Sequence, residues 1–293
     1  MSGPEERLTP AAMAARLPVA ESWDCHTHIF DDPARYPLRE RLAYEVPNAS
    51  NAAALRRMHR ALGIDRGVIT HTGAYGADHR ILLDALRGMP GYRGIGLVDD
   101  ATTDRALREM HEAGVCGVRF NFLSILKAAP NPASFRRTVA RIAEYGWHIR
   151  LHAPSATWLE HDCLFREVRV PVVVDHFAYA DVPSGPSHPL ARHMLSRIRG
   201  EGWWVLACCG DRISRQATGW SDVVELAQAF VAAAPDRSIW GSDWPHVHYT
   251  KGAPPADAEL FDLLHRVVPD DGLRHRILSV NPARLHGSEI SRR

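Results

Sequence analysis

The chain of 293 residues is long enough for one large domain, and its formal net charge of +1 predicts no general attraction to nucleic acid or to a membrane surface. Hydrophobic residues make up 45% and charged residues 24%, as in ordinary globular proteins, and no apolar run reaches the roughly 18 residues of a membrane span. The five cysteines are odd in number and irregularly spaced, which favours reduced thiols and predicts a cytoplasmic protein.

Eight short apolar or β-branched segments are spaced along the chain, and each predicts a strand. They cover residues 22–28, 66–71, 92–98, 115–122, 147–152, 170–176, 203–209 and 237–243. Segments with helical spacing lie between them. The first, at 51–63, places Leu55, Met58 and Leu62 on one stripe and has Gly63 as its stop signal.

Four further segments show the same helical spacing, with polar residues at their starts and mostly glycines at their ends. They cover residues 78–89, 103–114, 134–146 and 221–235. In the last of them Ser221 is the predicted cap, with Glu225 near enough for a capping interaction. The proline-rich segments at 181–189 and 252–257 predict long loops after strands six and eight.

Regular alternation of strands and helices predicts a parallel sheet with crossover helices, either as an open doubly wound sheet or as a closed barrel. The first strand ends in His-Thr-His, where a dinucleotide fold often has a glycine-rich phosphate loop. Eight such units in about 250 residues is the usual size of a TIM barrel. We therefore predict one α/β domain over 1–293: an extension at 1–20, then a distorted (β/α)8 TIM barrel and C-terminal helical extension over 22–287.

Polar side chains recur at the carboxyl ends of the predicted strands, which is where TIM barrels carry their catalytic groups. In chain order these residues are His26, His28, His71, Arg119, Asn121, His152, His176 and Asp243. Because side chains alternate along a strand, His26 and His28 are predicted to share one face with Asp24, which would lie one step deeper.

The predicted strand-end residues include a candidate metal site. His26, His28, His152 and Asp243 would offer three nitrogens and one carboxylate to Zn²⁺, Mn²⁺ or Fe²⁺, with room for a water of near-neutral pKa. His176 would then polarise the substrate or carry a proton. The simpler interpretation of any one histidine is a core residue bonded to the backbone, but that interpretation becomes improbable for the whole set.

With 17 histidines in 293 residues, about one His-x-His is expected by chance, and the chain has a second one at His246 and His248. We expect His246 to line the mouth of the barrel and His248 to lie on the surface.

Arginines form the second signal. Arg119 lies within an apolar strand, and a buried guanidinium is costly unless it is paired with a core carboxylate or with a carboxylate of a substrate. Arg212 and Arg215 follow strand seven. Several cations around one mouth would suit a small anionic substrate, whereas loop arginines are commonly just solvated.

Several motifs together are more specific than any single pair of histidines. They are DCHTHIF, YGADHRILLDAL, RGIGLVDD, AGVCGVRFNF, VVVDHFA, WGSDWPH and ILSVNPARLHG. With these motifs the sequence resembles the metal-dependent hydrolase (amidohydrolase) superfamily from about residue 22 to 287. The likeness is greatest to the branch of the 2-pyrone-4,6-dicarboxylate lactonases and sulfomuconolactone hydrolases.

This resemblance implies a distorted TIM barrel that hydrolyses a carboxylated lactone, often in the breakdown of aromatic compounds. By motif, Asp243 would activate the attacking water, while His26, His28 and His176 would surround the scissile carbonyl. The implied substrate contacts are Arg119, Arg212, Asn121, His71, Tyr75 and His246.

The metal content is left open by the resemblance. The pyrone lactonase branch works without a metal, whereas the wider superfamily binds a divalent metal, zinc or manganese for instance, through a strand-five histidine that corresponds to His152. Gly73 stands where the lactonases often have a serine. Metal-dependent decarboxylation of an aromatic or muconate acid, sugar-acid lactone chemistry, and a non-enzymatic binding protein are the alternatives. The sequence does not predict an oligomeric state.

Overall fold

Eight parallel strands form one sheet in which each strand pairs with the next in chain order. The structure, a computed structural model, describes residues 21–39, 42, 44–47, 50–126 and 128–287. The strands are β1 Trp23–Thr27, β2 Arg66–Thr70, β3 Arg93–Gly96, β4 Val115–Asn121, β5 His148–His152, β6 Val172–Val174, β7 Trp204–Ala207 and β8 Ser238–Trp240. All eight predicted strands and the TIM barrel are thereby confirmed.

Helices follow the strands and cover the outside of the sheet. They are α1 Ala52–Leu62, α2 Arg80–Gly88, α3 Asp104–Ala113, α4 Pro132–Ala143, α5 Ser155–Glu160, α6 Asp162–Arg166, α7 Pro189–Gly200, α8 Gly210–Ile213, α9 Val224–Ala233, α10 Asp257–Val267, α11 Asp271–His275 and α12 Asn281–His286. The helix α10 follows β8 and completes the eighth unit of the barrel, and α11 and α12 form the predicted C-terminal helical extension. The predicted extension at 1–20 lies outside the described residues, and the single domain over 1–293 stays a prediction.

Local sequence signals account for the ends of the predicted helices. The Asn51 side chain accepts the backbone N–H of Ala54 at the start of α1, and Gly63 ends that helix at φ 70°. The same arrangement recurs in α3, where Gly114 takes φ 105° at the end. A left-handed residue costs little at these positions because glycine has no Cβ.

The prediction that the two proline-rich segments are loops is confirmed only in part. Long loops do follow β6 and β8, but α7 begins at Pro189 and α10 begins at Asp257, at the ends of the two predicted loops. Proline is well suited to the first turn of a helix, because its missing N–H has no intrahelical partner there. We did not predict the helices that follow these loops.

The barrel closes between β1 and the segment that follows β8. Thr27 bridges to Trp244, the Asp243 N–H donates to the His26 carbonyl at 2.9 Å, and the His28 N–H donates to the Trp244 carbonyl at 2.7 Å. Gly241 permits this approach, since a Cβ there would lie 2.6 Å from the Cβ of His26. Closure therefore brings Asp243 beside the two histidines of β1.

The predicted position of Asp24 is wrong. The pairing of β1 with β2 shifts register between Asp24 and Thr27, so regular alternation is lost at this point. The Asp24 carboxylate contacts His59 of α1 at 3.2 Å and accepts the Ser242 hydroxyl at 2.5 Å. It faces the helix layer instead of lying beneath His26, and it holds the chain next to Asp243.

A small apolar cluster drawn from six strands fills the interior of the barrel. Its strand members are Trp23, Cys25, Val68, Ile95, Val173, Trp204, Leu206 and Ile239. Into the same interior β5 sends Arg150, whose side chain is fully buried. No helix among the described residues is long and apolar enough to cross a membrane.

Substitution of Gly241 tests the closure. We expect Gly241→Ala to destabilise the protein by about 1–3 kcal/mol, because its Cβ would have to displace the backbone and Cβ of His26. Urea unfolding measures the change. Gly200→Ala, in the last turn of α7 with open space around its Cβ, is the matched control and should be neutral or slightly stabilising. Equal stability of the two variants would contradict the proposed tight closure.

Candidate active site

The side chains of His26, His28 and Asp243 meet at the carboxyl end of the barrel, and all three are buried. His26 Nε2 lies 3.3 Å and His28 Nε2 lies 3.6 Å from Asp243 Oδ1. The two imidazole rings contact each other edge to face, with centroids 4.9 Å apart. His28 and Asp243 are in segments just beyond β1 and β8, although the sequence placed them within the strands.

Two residues of the site have left-handed backbone conformations. Asp243 has φ 64°, and His176 has φ 52° at the start of four consecutive left-handed residues that end at Tyr179. Such conformations are costly for residues with a Cβ and are concentrated at functional sites, where surrounding structure holds them. Here these conformations turn the chain soon after two strands end. β6 ends at Val174, before His176, and β8 ends at Trp240, before Asp243.

Arg212 binds the second oxygen of Asp243. Its Nε lies 2.9 Å and its Nη2 lies 2.6 Å from Asp243 Oδ2, and both Nη atoms also donate to backbone carbonyls of the segment after β8. Burial by itself raises the pKa of Asp243, but Arg212, with His26 and His28, outweighs it and lowers that pKa well below its usual range. The resting carboxylate is therefore ionised and weakly basic.

Arg119 connects β4 to the segment after β6. Its Nε donates to Asp175 Oδ2 at 2.7 Å, and its Nη2 donates to His176 Nε2 at 2.8 Å. Burial lowers the pKa of His176 well below its usual range, so the ring is neutral and carries its proton on Nδ1. Asp175 is the core partner of Arg119. The contact of Arg119 with a substrate carboxylate stays a prediction.

Arg150 fixes His26 in the same way. Its Nη1 donates to His26 Nδ1 at 3.0 Å, and its Nη2 donates to the Cys25 carbonyl at 2.7 Å. A guanidinium has no acceptor, so His26 Nδ1 must present its lone pair. Burial lowers the pKa of His26 well below its usual range. The neutral ring therefore carries its proton on Nε2, which faces Asp243.

His152 lies in the site with both ring nitrogens engaged by the protein. Nδ1 contacts Asn121 Oδ1 at 2.8 Å, and Nε2 contacts the Tyr179 hydroxyl at 2.6 Å. Burial raises the pKa of Tyr179, so this hydroxyl keeps its proton and donates to Nε2. His152 does not belong to the group formed by His26, His28 and Asp243. Its metal-ligand role stays a prediction.

The other predicted substrate contacts also have partners within the protein. His71 Nε2 donates to a backbone carbonyl at 3.0 Å, the Tyr75 hydroxyl accepts a backbone N–H at 3.2 Å, and His246 Nε2 contacts Asp257 at 3.0 Å. Their roles toward a substrate stay predictions.

Two residues of the site were missed. Arg150 carries the signal that drew attention to Arg119, a charge inside an apolar strand, two positions before His152. Tyr179 gave no usable signal, because its approach to His152 depends on the left-handed turn after β6.

The donor atoms of His26, His28 and Asp243 lie within 4.8 Å of one another and so fit a divalent metal by position. These residues would hold it, and it would add positive charge for a carbonyl oxygen and lower the pKa of a bound water. The contact with Arg150 places a proton on His26 Nε2. This proton opposes metal binding, because a protonated nitrogen has no lone pair to offer a metal. Metal coordination by His26 and its hydrogen bond from Arg150 therefore exclude each other.

A closed barrel with paired histidines at the end of its first strand and an aspartate after its eighth defines a class of barrel hydrolases. The chain belongs to the amidohydrolase family, whose sequence profile matches residues 23–287. Members of this family usually bind a divalent metal.

Characterised relatives match the chain over almost its whole length. A 4-sulfomuconolactone hydrolase of Hydrogenophaga intermedia is 34% identical over 97% of this chain and 94% of its own. A 2-pyrone-4,6-dicarboxylate hydrolase of Comamonas testosteroni is 31% identical over 96% and 94%. The crystal structure of Agrobacterium tumefaciens ATU3138 is 25% identical with a TM-score of 0.79, covering 92% of this chain and 96% of its own.

Replacement of Arg150 tests the opposition between metal and hydrogen bond. We expect Arg150→Met to raise zinc affinity roughly tenfold or more, because a hydrogen bond to a charged group contributes about 1.5–3 kcal/mol. Competition with a chromophoric chelator measures that affinity.

The double variant Arg150→Met with His28→Ala is the control, since it should lose the gain if the added zinc binds at this site. An unchanged affinity in Arg150→Met would show that the guanidinium does not hold the proton on His26 Nε2.

Proposed function

We propose that the chain hydrolyses a small carboxylated lactone of the 2-pyrone-4,6-dicarboxylate or muconolactone kind. The observation that carries this proposal is the convergence of Asp243 with His26, His28 and His176 beside the guanidiniums of Arg119 and Arg212. A carboxylate that can accept a proton, N–H donors and cations are the groups that opening an anionic lactone requires. The names of the relatives at 34% and 31% identity support the same substrate class.

In the proposed reaction Asp243 accepts a proton from water while the water oxygen attacks the lactone carbonyl carbon. The resulting tetrahedral intermediate carries its negative charge on the former carbonyl oxygen. The bond from the carbonyl carbon to the ring oxygen then breaks, and the ring oxygen takes up the proton. The product contains one new carboxylic acid, which releases its proton to solvent and becomes a carboxylate, and one new hydroxyl or its keto form.

Two imidazole N–H groups are suited to hold the negative oxygen. Arg150 and Arg119 each occupy one ring nitrogen of His26 and His176, which leaves N–H groups at His26 Nε2 and His176 Nδ1. Neither atom has a hydrogen bond of ordinary geometry in the described part of the chain. Donors of this kind, fixed before the reaction, each contribute about 10²–10³ in rate in other hydrolases.

Through the ion pair of Arg212 with Asp243, substrate binding would also change the basicity of Asp243. While Arg212 holds Asp243, the carboxylate is a poor base, because the pair lowers its pKa. A substrate carboxylate that engages Arg212 would weaken this pair and so raise the basicity of Asp243. Binding of the correct anion would thereby prepare the base, in a site from which bulk water is excluded.

A divalent metal at His26, His28 and Asp243, with His152 as the sequence-predicted fourth ligand, would take the place of the His26 N–H and would supply positive charge for the same negative oxygen. Zinc and manganese both accept imidazole and carboxylate ligands. The hydrogen bonds of Arg150 and Tyr179 would have to change before His26 and His152 could coordinate. We therefore propose that the residues themselves perform the hydrolysis and that metal, where bound, adds to it.

Substitution of Asp243 tests this function. With 2-pyrone-4,6-dicarboxylate and with 4-sulfomuconolactone, we expect Asp243→Asn to lower kcat by about 10²–10⁴, because the general base is lost. Ultraviolet absorbance follows ring opening, and incorporation of ¹⁸O from labelled water identifies hydrolysis. Asp236→Asn, which weakens an exposed ion pair, is the matched control.

Other products would identify the alternatives. Release of carbon dioxide without ¹⁸O incorporation would replace hydrolysis by decarboxylation, and an isomeric lactone would indicate sugar-acid lactone chemistry. Full turnover by Asp243→Asn would contradict the mechanism whatever the substrate.

Arg119 tests the recognition of a carboxylate. We expect Arg119→Met to reduce kcat/KM for a carboxylated lactone by about 30-fold or more, since breaking one partner of a buried charged pair costs about 2–5 kcal/mol. The uncharged lactone dihydrocoumarin should be affected much less. Arg215→Met, at a side chain that is 71% exposed, serves as control. Equal losses on both lactones would assign Arg119 to orienting His176 alone.

A further inference from the structure

A second group of metal-ligating side chains lies at the amino end of the barrel, opposite the catalytic centre. Cys116 is the second residue of β4, His148 is the first residue of β5, and His286 is the last residue of α12. One ligand atom from each lies within 4.8 Å of the other two. The imidazole centroids of His148 and His286 are 5.0 Å apart.

Most of the nitrogen atoms that could bind a metal in this group have no hydrogen bond of ordinary geometry among the described residues. Cys116 Sγ donates to the Gly94 carbonyl at 3.7 Å and contacts His286 Nδ1 at 3.6 Å, which accounts for the thiol and for one imidazole nitrogen. Both ring nitrogens of His148 and Nε2 of His286 are buried and have no hydrogen bond of ordinary geometry among the described residues, although the backbone of Cys116 interacts with the His148 ring. The two histidines are only 2% and 0% exposed. Buried polar atoms are normally paired, so three unpaired nitrogens around one thiol point to a missing ligand.

The ionisation of the group suits coordination. Burial lowers the pKa of His148 to about 3 and that of His286 well below its usual range, so both rings are neutral and have a lone pair to offer. Burial raises the pKa of the Cys116 thiol to about 12, against the opposing effect of Arg150 and Arg93. Coordination would replace the thiol proton by the metal, and the proton would pass to solvent.

We propose that Cys116, His148 and His286 form a metal site for a single thiophilic cation, Zn²⁺ or Cu⁺, which joins β4, β5 and the C-terminal helix. Thiolate and imidazole are the ligands that these two ions prefer. The site differs from the catalytic centre because, within the part of the chain that the structure describes, no arginine hydrogen-bonds a ring nitrogen of His148 or His286. The nearby guanidiniums of Arg150 and Arg93 stabilise the thiolate and favour the ion of lower charge, Cu⁺.

Cobalt substitution tests the zinc form on the full chain. Apo protein titrated with Co²⁺ should develop a thiolate-to-cobalt charge-transfer band in the near ultraviolet at one equivalent. Cys116→Ser should lose the band, and Cys163→Ser, at an exposed cysteine, should keep it. Cys208 and Cys209 lie near His176 and offer a competing thiol site. Cys209→Ala removes one of these thiols and should keep the band if cobalt binds through Cys116.

Anaerobic competition with a Cu⁺ chelator tests the copper form with the same variants. Retention of either ion through Cys116 supports the site and identifies the cation. If neither ion is retained, or if retention is unchanged in Cys116→Ser, the site is overturned and the unpaired nitrogens belong to a buried water.

Alkylation of the wild-type protein needs no variant and guards against misfolding. Because burial raises the pKa of Cys116, labelling is continued until the metal-free protein has reacted with N-ethylmaleimide at this thiol. The preferred cation should then slow the labelling of Cys116 at least tenfold and leave Cys163 reactive, as peptide mass spectrometry would show. Equal protection of both thiols, or protection of neither, would overturn the proposal. Asp243→Asn should retain the protection, so failure of the lactonase proposal and failure of this one are distinguishable.

Discussion

Donation of N–H groups by buried arginines determines the protonation of the catalytic centre. Arg212 holds Asp243 as an ionised carboxylate, Arg119 occupies one nitrogen of His176, and Arg150 occupies one nitrogen of His26. A guanidinium has five donors and no acceptor, so each contact leaves one protonation state for its partner. Burial keeps the imidazoles neutral, and the arginines then determine which nitrogen carries the proton.

These contacts require residues in or just after six strands to meet within a few ångströms, and the closure of the barrel brings this about. The register shift in β1 sends Asp24 to the helix layer, where it accepts hydrogen bonds from Ser242. Gly241 allows β1 and the end of β8 to approach. Asp243 then follows in a left-handed conformation and reaches the histidines. Closure and catalysis thus depend on the same few residues.

Most of the fold could be predicted from the sequence because each strand and its helix carry their own periodicity and end signals. Residues at strand ends, such as His26, His28 and Asp243, could be predicted as neighbours, since parallel strands present their carboxyl ends together. The positions of Asp24 and of Tyr179, which contacts His152, could not. Their positions depend on a register shift and on a left-handed turn. Neither feature can be recognised from the periodicity of side chains in this sequence.

Arg150 explains why the two ends of the barrel differ toward metals although both contain histidines. Its Nη1 reaches the catalytic His26 by hydrogen bond, whereas its charge acts on His148 and Cys116 only through space. At the catalytic end the guanidinium occupies a lone pair and so competes with a cation. At the amino end it favours the thiolate, which attracts one. A single buried charge on β5 therefore opposes coordination at one site, whereas at the other it favours loss of the thiol proton to a metal, against the larger effect of burial.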